Sequence, residues 1–223
     1  DSLHTIAAAI AGAAALISIA LWRLSTGPIS LAFLAPYMEE ALSAEDAAYR
    51  VTFDELLLTW AGWERYVDIR ARHVQSFSTD GALLFTVPEM ALELSISAIL
   101  RGVIAPTKLE LFGADLHLAY DATGLSAVHV DEDSRGSSNL NFLGMIKGAL
   151  ENPHFDHPLS YLQSIRIQDG KFVVYDLDLK AGWEGKKVNV TIEQSKKGLV
   201  AELELLVELD ESQVELGVTA VFI

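Results

Sequence analysis

The sequence after residue 51 alternates between apolar and polar residues with a period of two, the pattern of β-strands that bury one face. The clearest example is the segment 199–210, LVAELELLVELD, which places apolar side chains on one face and carboxylates on the other. Turn sequences separate such runs at Asp80-Gly81, 121–124, Asp169-Gly170 and Lys197-Gly198. We therefore predict about a dozen strands in a long antiparallel sheet, with small helices near 97–102 and 140–150.

Two stretches of the chain carry a similar apolar pattern at one constant offset, and each brackets a glycine-containing turn. The matched residues are Leu109, Leu111, Leu116 and Leu118 in the first stretch and Ile165, Ile167, Phe172 and Val174 in the second. This short repeat suits a sheet that is built by the addition of similar hairpins.

The run from His4 to Trp22 contains no charged residue. Its part from Ile6 onward would form a helix of about 26 Å, close to the roughly 30 Å thickness of the hydrocarbon core of a bilayer. Trp22 and Arg23 follow where an interfacial aromatic ring and a cation belong. A cleaved signal peptide would end at small residues, and a buried core helix would normally show one polar face, but this run does neither. We predict an uncleaved single-pass transmembrane anchor over residues 4–24.

A segment of helical periodicity follows the anchor. Its apolar residues at helical spacing are Leu34, Tyr37, Met38, Ala41 and Leu42. We predict a juxtamembrane helical segment over 25–45, with Pro36 in the first turn, that either lies on the membrane surface or caps the sheet. A β-sheet domain is predicted over 46–223. Because the final residues form an apolar strand without the charge or proline that usually protects a sheet edge, we expect the native chain to continue beyond Ile223.

The composition limits the classes of function. Hydrophobic residues make up 51% of the chain, which excludes intrinsic disorder in spite of a formal charge of -15. The excess of 31 acidic over 16 basic side chains argues against binding to nucleic acid, whose phosphates attract clustered lysine and arginine. The chain has no cysteine, so disulfides, thiolate nucleophiles and cysteine-ligated metals are excluded.

The sequence contains no pattern of an enzyme active site. A nucleophile elbow, a phosphate-binding glycine loop and a dinucleotide fingerprint are all absent. Two histidine clusters, one from His154 to His157 and one at His129 with the carboxylates of 131–133, lack the spacing of a zinc hydrolase. His117 fits a packed or hydrogen-bonded histidine better than a ligand. We therefore predict no enzyme, no metal site and no cofactor.

Three stretches of the sequence share a pattern of regularly spaced apolar residues and glycine-containing turns. The first continues from the anchor through LSTGPISLAFLAPYMEEALSAEDAAYRVTFDELLLTWAGW. The second is DGALLFTVPEMALELSISAILRGVIAPTKLELFGADLHLAYDATG, and the third is YLQSIRIQDGKFVVYDLDLKAGWEGKKVNVTI. Together they cover nearly the whole chain, which in these stretches resembles the AsmA-like superfamily and, within it, the YhdP-type proteins.

The resemblance implies an anchor in the inner membrane of a Gram-negative envelope, with the bulk of the chain in the periplasm. It also implies a curled sheet that forms an open groove with an apolar floor, as in bridge-like lipid-transfer proteins. Phospholipid moving from the inner to the outer membrane would be the ligand. The length of this chain departs from that role, because about a dozen strands 4.8 Å apart make a trough of at most roughly 60 Å. Arg23, the only cation beside the anchor, does not decide the orientation.

A sheet with one apolar face must pack against another layer, close into a barrel or hold an apolar ligand. The predicted helices are too few to cover such a sheet. The sequence pattern alone favours a ligand-free sandwich, because most apolar strand faces are core. The resemblance reverses this order, and it implies an open apolar groove that phospholipid fills. The groove candidates, some of which must face helices instead, are Leu56, Leu58, Met90, Leu92, Leu94, Leu116, Leu118, Phe172, Val174, Leu203, Leu205, Val207, Leu216, Val218 and Phe222. A second functional hypothesis is a structural or assembly subunit that holds protein partners in a larger membrane complex.

Overall fold

The protein is mainly β, as the sequence predicts, and its described residues form thirteen strands in one sheet and two short α-helices of defined bounds. The computed structural model describes residues 4, 11–12, 14–15, 18–19, 22–23, 26–43, 49–59, 68–78, 81–121, 124–128, 137–141, 158–176, 178–179, 181–195, 198–209 and 212–222. The strands are β1 (Ile29–Ser30), β2 (Tyr49–Thr52), β3 (Glu55–Thr59), β4 (Asp68–Ser78), β5 (Leu83–Leu94), β6 (Pro106–Phe112), β7 (Asp115–Asp121), β8 (Gly124–Val128), β9 (Ser137–Asn141), β10 (Ser164–Asp176), β11 (Ala181–Ser195), β12 (Gly198–Leu209) and β13 (Ser212–Phe222). The helices are α1 (Ala35–Leu42) and α2 (Ile96–Ile99), and a 3-10 turn spans Pro158–Tyr161.

The main path through the sheet runs β1-β3-β4-β5-β6-β10-β11-β12-β13. Short strands share the edges of longer ones: β2 and β3 pair with successive parts of β4, and β6 and β7 pair with successive parts of β10. β8 pairs with β7, and β9 pairs with β8. The long strands therefore set the dimensions of the sheet.

The pairing register aligns apolar residues from eight strands into two continuous rows on one face of the sheet. The first row is Leu56, Ala71, Met90, Leu111, Ile167, Val190, Leu203 and Val218. The second row is Leu58, Ile69, Leu92, Leu109, Ile165, Ile192, Ala201 and Ala220. Because directly opposite residues point to the same face, the alternation in the sequence becomes one apolar surface.

Helix α1 covers the first part of this surface. Its buried residues Met38 and Leu42 pack in one core cluster with Leu56 and Met90 of the sheet. Pro36 lies in the first turn of α1, as predicted. The end of the helix is fixed to β2, because the Ser43 hydroxyl accepts a hydrogen bond of 3.0 Å from the backbone N–H of Val51. These contacts make α1 a helix that caps the sheet.

The sheet is mixed, so the prediction of an antiparallel sheet is wrong at β10. This strand runs parallel to both β6 and β7, while its other edge pairs antiparallel with β11. Every pair, from Ser164 with Lys108 to Asp176 with Tyr120, has the same offset in the sequence. The internal repeat is therefore a pair of neighbouring parallel strands and not a repeated hairpin. The 42 residues between β7 and β10 provide the crossover that a parallel pair requires.

Residues in the left-handed region interrupt four strand paths. His73, Asp169 and Lys187 have φ values of 51°, 52° and 55°, and Gly113 between β6 and β7 has 66°. In β10 the pairing register shifts on both sides of Gly170. Such bulges bend a strand and increase its twist. They also reverse the alternation, so that odd-numbered Ile167 and even-numbered Phe172 pack on the same core.

One predicted turn is consequently wrong, and three are confirmed. Asp169-Gly170 forms a bulge inside β10 and does not separate two strands. The other three turn sequences lie in hairpins, where Phe77 pairs with Leu83, Asp121 with Gly124 and Ser195 with Gly198. An aspartate or glycine that adopts positive φ serves a bulge as well as a hairpin, so the residue types alone do not distinguish the two.

The opposite face of the sheet carries ion pairs between neighbouring strands. Arg70 on β4 bonds to Glu89 on β5 and lies 3.3 Å from the carboxylate of Asp68. Farther along, Arg166 on β10 lies 3.5 Å from Glu110 and 3.6 Å from Glu193. These partly exposed pairs stabilise the fold only weakly, but they show that the second face is solvated.

The predicted helices differ in outcome. Helix α2 confirms the helix predicted near 97–102. The helix predicted near 140–150 is wrong at its start, because Ser137–Asn141 forms strand β9. Residues 142–150 lie outside the described residues. The segment predicted as helical over 25–45 begins with a strand. Ile29 and Ser30 form β1, which pairs with β3, and α1 follows it.

The predicted anchor falls mostly outside the described residues. The described positions between His4 and Arg23 are helical. Among the helices in the described part of the chain, none is long and apolar enough to span a bilayer.

Tyr49 provides a test of the core beneath α1. Burial raises the pKa of its phenol from 10.0 to about 12. The unfolded chain therefore loses this proton near pH 10 while the folded chain keeps it, so stability falls as the pH rises through this window. The full loss corresponds to about 2–3 kcal/mol. The variant Tyr49→Phe should lack this part of the decline.

Urea unfolding of both proteins across the alkaline range measures the difference directly. Because every other titrating group is common to the two chains, parallel pH profiles for the wild type and Tyr49→Phe would contradict the burial of this phenol.

Candidate functional site

The apolar face loses its cover where the sheet passes from β10 to β13. In the described part of the chain, β12 is covered at its start, where Leu199 is buried in a small cluster with Leu162 and Ile165. The first apolar row shows the change: Met90 is 3% exposed, Ile167 is 4% exposed, and Val218 at the end of the row is 59% exposed. Leu216, opposite Leu205, is 50% exposed. We call the part formed by Val190, Leu203, Leu205, Leu216 and Val218 the open apolar face, which ends at Val188 on β11, a side chain that is 1% exposed.

Glycines allow the side chains at the base of the open apolar face to pack closely. A Cβ at Gly185 would lie 2.9 Å from Leu205 Cδ1 and 3.0 Å from Val188 Cγ2. A Cβ at Gly170 would lie 3.0 Å from Ile167 Cγ2 and 3.1 Å from a ring carbon of Phe172. The strands β10 to β12 thus form a continuous apolar floor without space for a larger residue at either glycine.

The side chains of the open apolar face can bind an apolar ligand but cannot catalyse a reaction. Every side chain that defines it is a hydrocarbon, so it has no nucleophile, acid or base. The neighbouring glutamates of β12, Glu202 and Glu204, are exposed and point to the opposite face. Such a surface can bind apolar molecules by removing hydrocarbon from water, and it has no group to recognise a charged head.

The polar groups elsewhere do not combine into a site. His117 Nε2 lies 3.4 Å from Asp115 Oδ1 on β7, on the face opposite to Leu116 and Leu118. This contact agrees with the interpretation of His117 as a packed histidine. Within the described residues no group of three or more histidines and carboxylates could hold a metal ion. The two histidine clusters of the sequence, at 129–133 and 154–157, lie outside the described residues.

The structure distributes the predicted groove residues over three environments. Leu56, Met90, Leu92, Leu116 and Leu118 are buried. Leu58, Leu94, Phe172, Val174, Leu203 and Leu205 are half-buried, and Leu216 and Val218 are exposed. Val207 and Phe222 lie in β12 and β13, but their side chains are outside the described set. Only the later strands therefore contribute an accessible surface from these candidates.

The sequence analysis missed the contribution of β11. Val190 lies directly opposite Leu203 within the open apolar face, and Val188, directly opposite Leu205, is buried and joins this face to the core. The alternation Val188-Asn-Val190-Thr-Ile192 could have identified them. The positive φ of Lys187 reverses the alternation just before this run, which hides its continuity with the first half of the strand.

Comparisons with protein-family models, with curated proteins and with solved structures find no match to this chain. The resemblance to the AsmA-like superfamily thus stays a prediction. The functional argument rests on the geometry of the sheet.

Two leucines on the same apolar face test whether its cover ends where we describe it. Leu92 is buried under the core, so Leu92→Ala should destabilise the fold by about 2–5 kcal/mol. Leu216 is half exposed, so Leu216→Ala should cost less than about 1 kcal/mol. Urea unfolding of the detergent-solubilised chain measures both values. Equal losses would show that a further layer covers β13.

Proposed function

We propose that this protein is a membrane-anchored, non-enzymatic lipid-binding protein that holds phospholipid acyl chains on its open apolar face. The observation that carries the proposal is the pair of apolar rows, which cross eight strands, are buried as far as Ile165 and Ile167 on β10, and end on β13 with Val218 exposed. A globular core would bury the whole face, because an uncovered apolar surface is costly in water.

The size of the open apolar face suits acyl chains. The two steps from β11 to β13 extend over roughly 10 Å at 4.8 Å per step. Each methylene that leaves water for this surface contributes about 0.8 kcal/mol when it is fully buried. The rows continue without a polar interruption into the core, so an acyl chain on β12 and β13 meets hydrocarbon along the sheet.

The charge distribution supports a site that recognises the acyl chain of a lipid. Strands β12 and β13 contain no lysine or arginine, the glutamates of β12 are exposed, and the basic residues of the neighbouring strand β11 are Lys186 and Lys187. We infer that binding depends on hydrocarbon burial and that the phospholipid headgroup stays in water. In the wider proposal, which follows the family resemblance, the protein contributes to phospholipid transport from the inner to the outer membrane.

Photo-crosslinking tests the lipid site. A photoreactive residue at Leu205 or Leu216 should capture phospholipid in membranes, because both side chains belong to the open apolar face. The matched control is Glu204, the neighbour of Leu205 on the opposite face, which should capture none. Mass spectrometry of the adducts identifies the captured molecule. Equal capture at the two faces, or capture of protein alone at Leu205, would contradict the proposal.

The proposed location is the inner membrane, with residues 25–223 in the periplasm and the N-terminus in the cytoplasm. A reporter that is active only in the periplasm, fused after Gly124, should be active in whole cells. Activity of a cytoplasm-only reporter at the same position would contradict both the location and the role between the two membranes.

A second candidate function is a structural or assembly subunit of a larger membrane complex. The pairing of β13 favours it, because within the described strands β13 pairs with β12 alone and has a second edge for another strand. Purification in mild detergent distinguishes the two functions. A stoichiometric protein partner would support the assembly role, and a monomer with bound lipid would support lipid binding.

A further inference from the structure

The direction of the first strands places the beginning of the chain at one end of the sheet. Ile29 pairs with Leu58 and Ser30 with Leu57 in antiparallel orientation, so residues before Ile29 continue past the C-terminal end of β3. Strand β5 runs parallel to β3, since both are antiparallel to β4. Residues 26–28, through which the predicted anchor joins the sheet, and the connection from β5 to β6 therefore lie at the same end, which we call the anchor end.

Helix α2 forms the connection from β5 to β6 and exposes apolar side chains at the anchor end. Ile96, Ile99 and Leu100 are 75%, 47% and 83% exposed, and Ala98 is the buried residue of the helix. We call residues 96–100 the apolar tip. Three large hydrocarbons in water at the end of a hairpin are unusual for a surface with no partner.

Local hydrogen bonds hold the apolar tip in this exposed arrangement. The Ser95 hydroxyl accepts a hydrogen bond of 3.2 Å from the backbone N–H of Ala98 and thereby caps the helix. At the other end, Gly102 has a φ of 81° and Val103 donates its N–H to the Ala98 carbonyl at 3.0 Å. The outward direction of the hydrocarbons is thus fixed by both caps of the helix.

The residues around the apolar tip suit the interface of a bilayer. Segments 26–38, 95–107 and 158–164 contain no acidic residue, in a chain that has 31 of them. Arg101 donates a hydrogen bond of 3.2 Å to the Tyr161 hydroxyl beside the tip. Arginine and tyrosine are residues that place an apolar body toward lipid and a polar end toward water.

The distance to the anchor fits simultaneous contact with one membrane. Between β1 and β5 lie three strand steps, which is roughly 14 Å at 4.8 Å per step. A tip this close to a transmembrane segment at the same end of the sheet faces the surface of the bilayer that the segment crosses.

We propose that the apolar tip inserts Ile96, Ile99 and Leu100 into the interfacial layer of the membrane that holds the anchor. This inference rests on the proposed membrane attachment and adds a second contact to it. Two contacts at one end of the sheet fix its orientation on the bilayer, whereas a single helix would leave it free to rotate.

Single-cysteine labelling tests the proposal in the full chain, which has no native cysteine. The variant Leu100→Cys carries an environment-sensitive fluorophore at the apolar tip. The matched control is Leu179→Cys, which replaces a leucine that is 70% exposed in the turn from β10 to β11, away from the anchor end. Both labelled proteins are reconstituted into vesicles of phosphatidylethanolamine and phosphatidylglycerol.

The fluorophore at position 100 should shift its emission to the blue and be quenched by lipids that carry a nitroxide near the headgroup end of the acyl chain. The fluorophore at position 179 should keep the emission of a water-exposed probe. Water-like emission at position 100 would overturn the proposal, and so would a blue shift without quenching, since the latter indicates a protein contact.

The outcome is separable from that of the lipid site. Flotation with the vesicles reports membrane attachment, and phospholipid capture at Leu205 reports the open apolar face. A protein that floats and captures lipid but keeps a water-like probe at position 100 would refute the apolar tip alone. A quenched probe at position 100 without capture at Leu205 would refute the lipid site alone.

Discussion

A sheet with one apolar face requires a second layer, and in this protein that requirement is met for only part of the sheet. Eight strands align their hydrocarbons in register, so the apolar face is a single surface. Helix α1 has only eight residues and covers the strands near β3 to β5. Beyond these strands a smaller cluster around Leu162 buries Ile165 and Leu199, and the face becomes exposed on β13.

The bulges make the long apolar face possible. A residue at positive φ within a strand path reverses the alternation of side chains between the two faces. The apolar residues must therefore change from odd to even positions, or the reverse, at the same point of the sequence. Without that change the strand would turn its apolar side chains to the solvated face. In β10 the shift is present, since Ile165 and Ile167 precede Asp169 while Phe172 and Val174 follow it. The same arrangement around Gly113 keeps Leu111 and Leu116 on one core. The positions of the apolar residues in the sequence therefore agree with the bulge in the backbone. This agreement is evidence that the bulge is a property of the fold.

The sequence predicted the strands and most hairpins because alternation and turn residues are local properties. Its repeat also identified the correct residue pairs, but not their relation, because a constant offset is compatible with a repeated hairpin or with parallel neighbours. The choice depends on the crossover between Asp121 and Ser164, which no local pattern encodes. Core and open face could not be separated either: Leu92 and Leu216 have the same alternating context, and only the position of α1 distinguishes them.

The twist of the sheet relates the apolar tip to the open apolar face. Neighbouring strands rotate by about 20–25°, so the five steps from β5 to β13 turn the strand direction by roughly 100–125°. If the end of β5 faces the bilayer, as the apolar tip requires, β13 runs nearly along the membrane surface. Because this rotation is about an axis that crosses the strands, the two apolar rows keep their direction along the membrane while the strands that carry them turn. In the proposed lipid-binding role, the acyl chains would lie beyond the covered core, on β12 and β13, and the headgroup would stay in water.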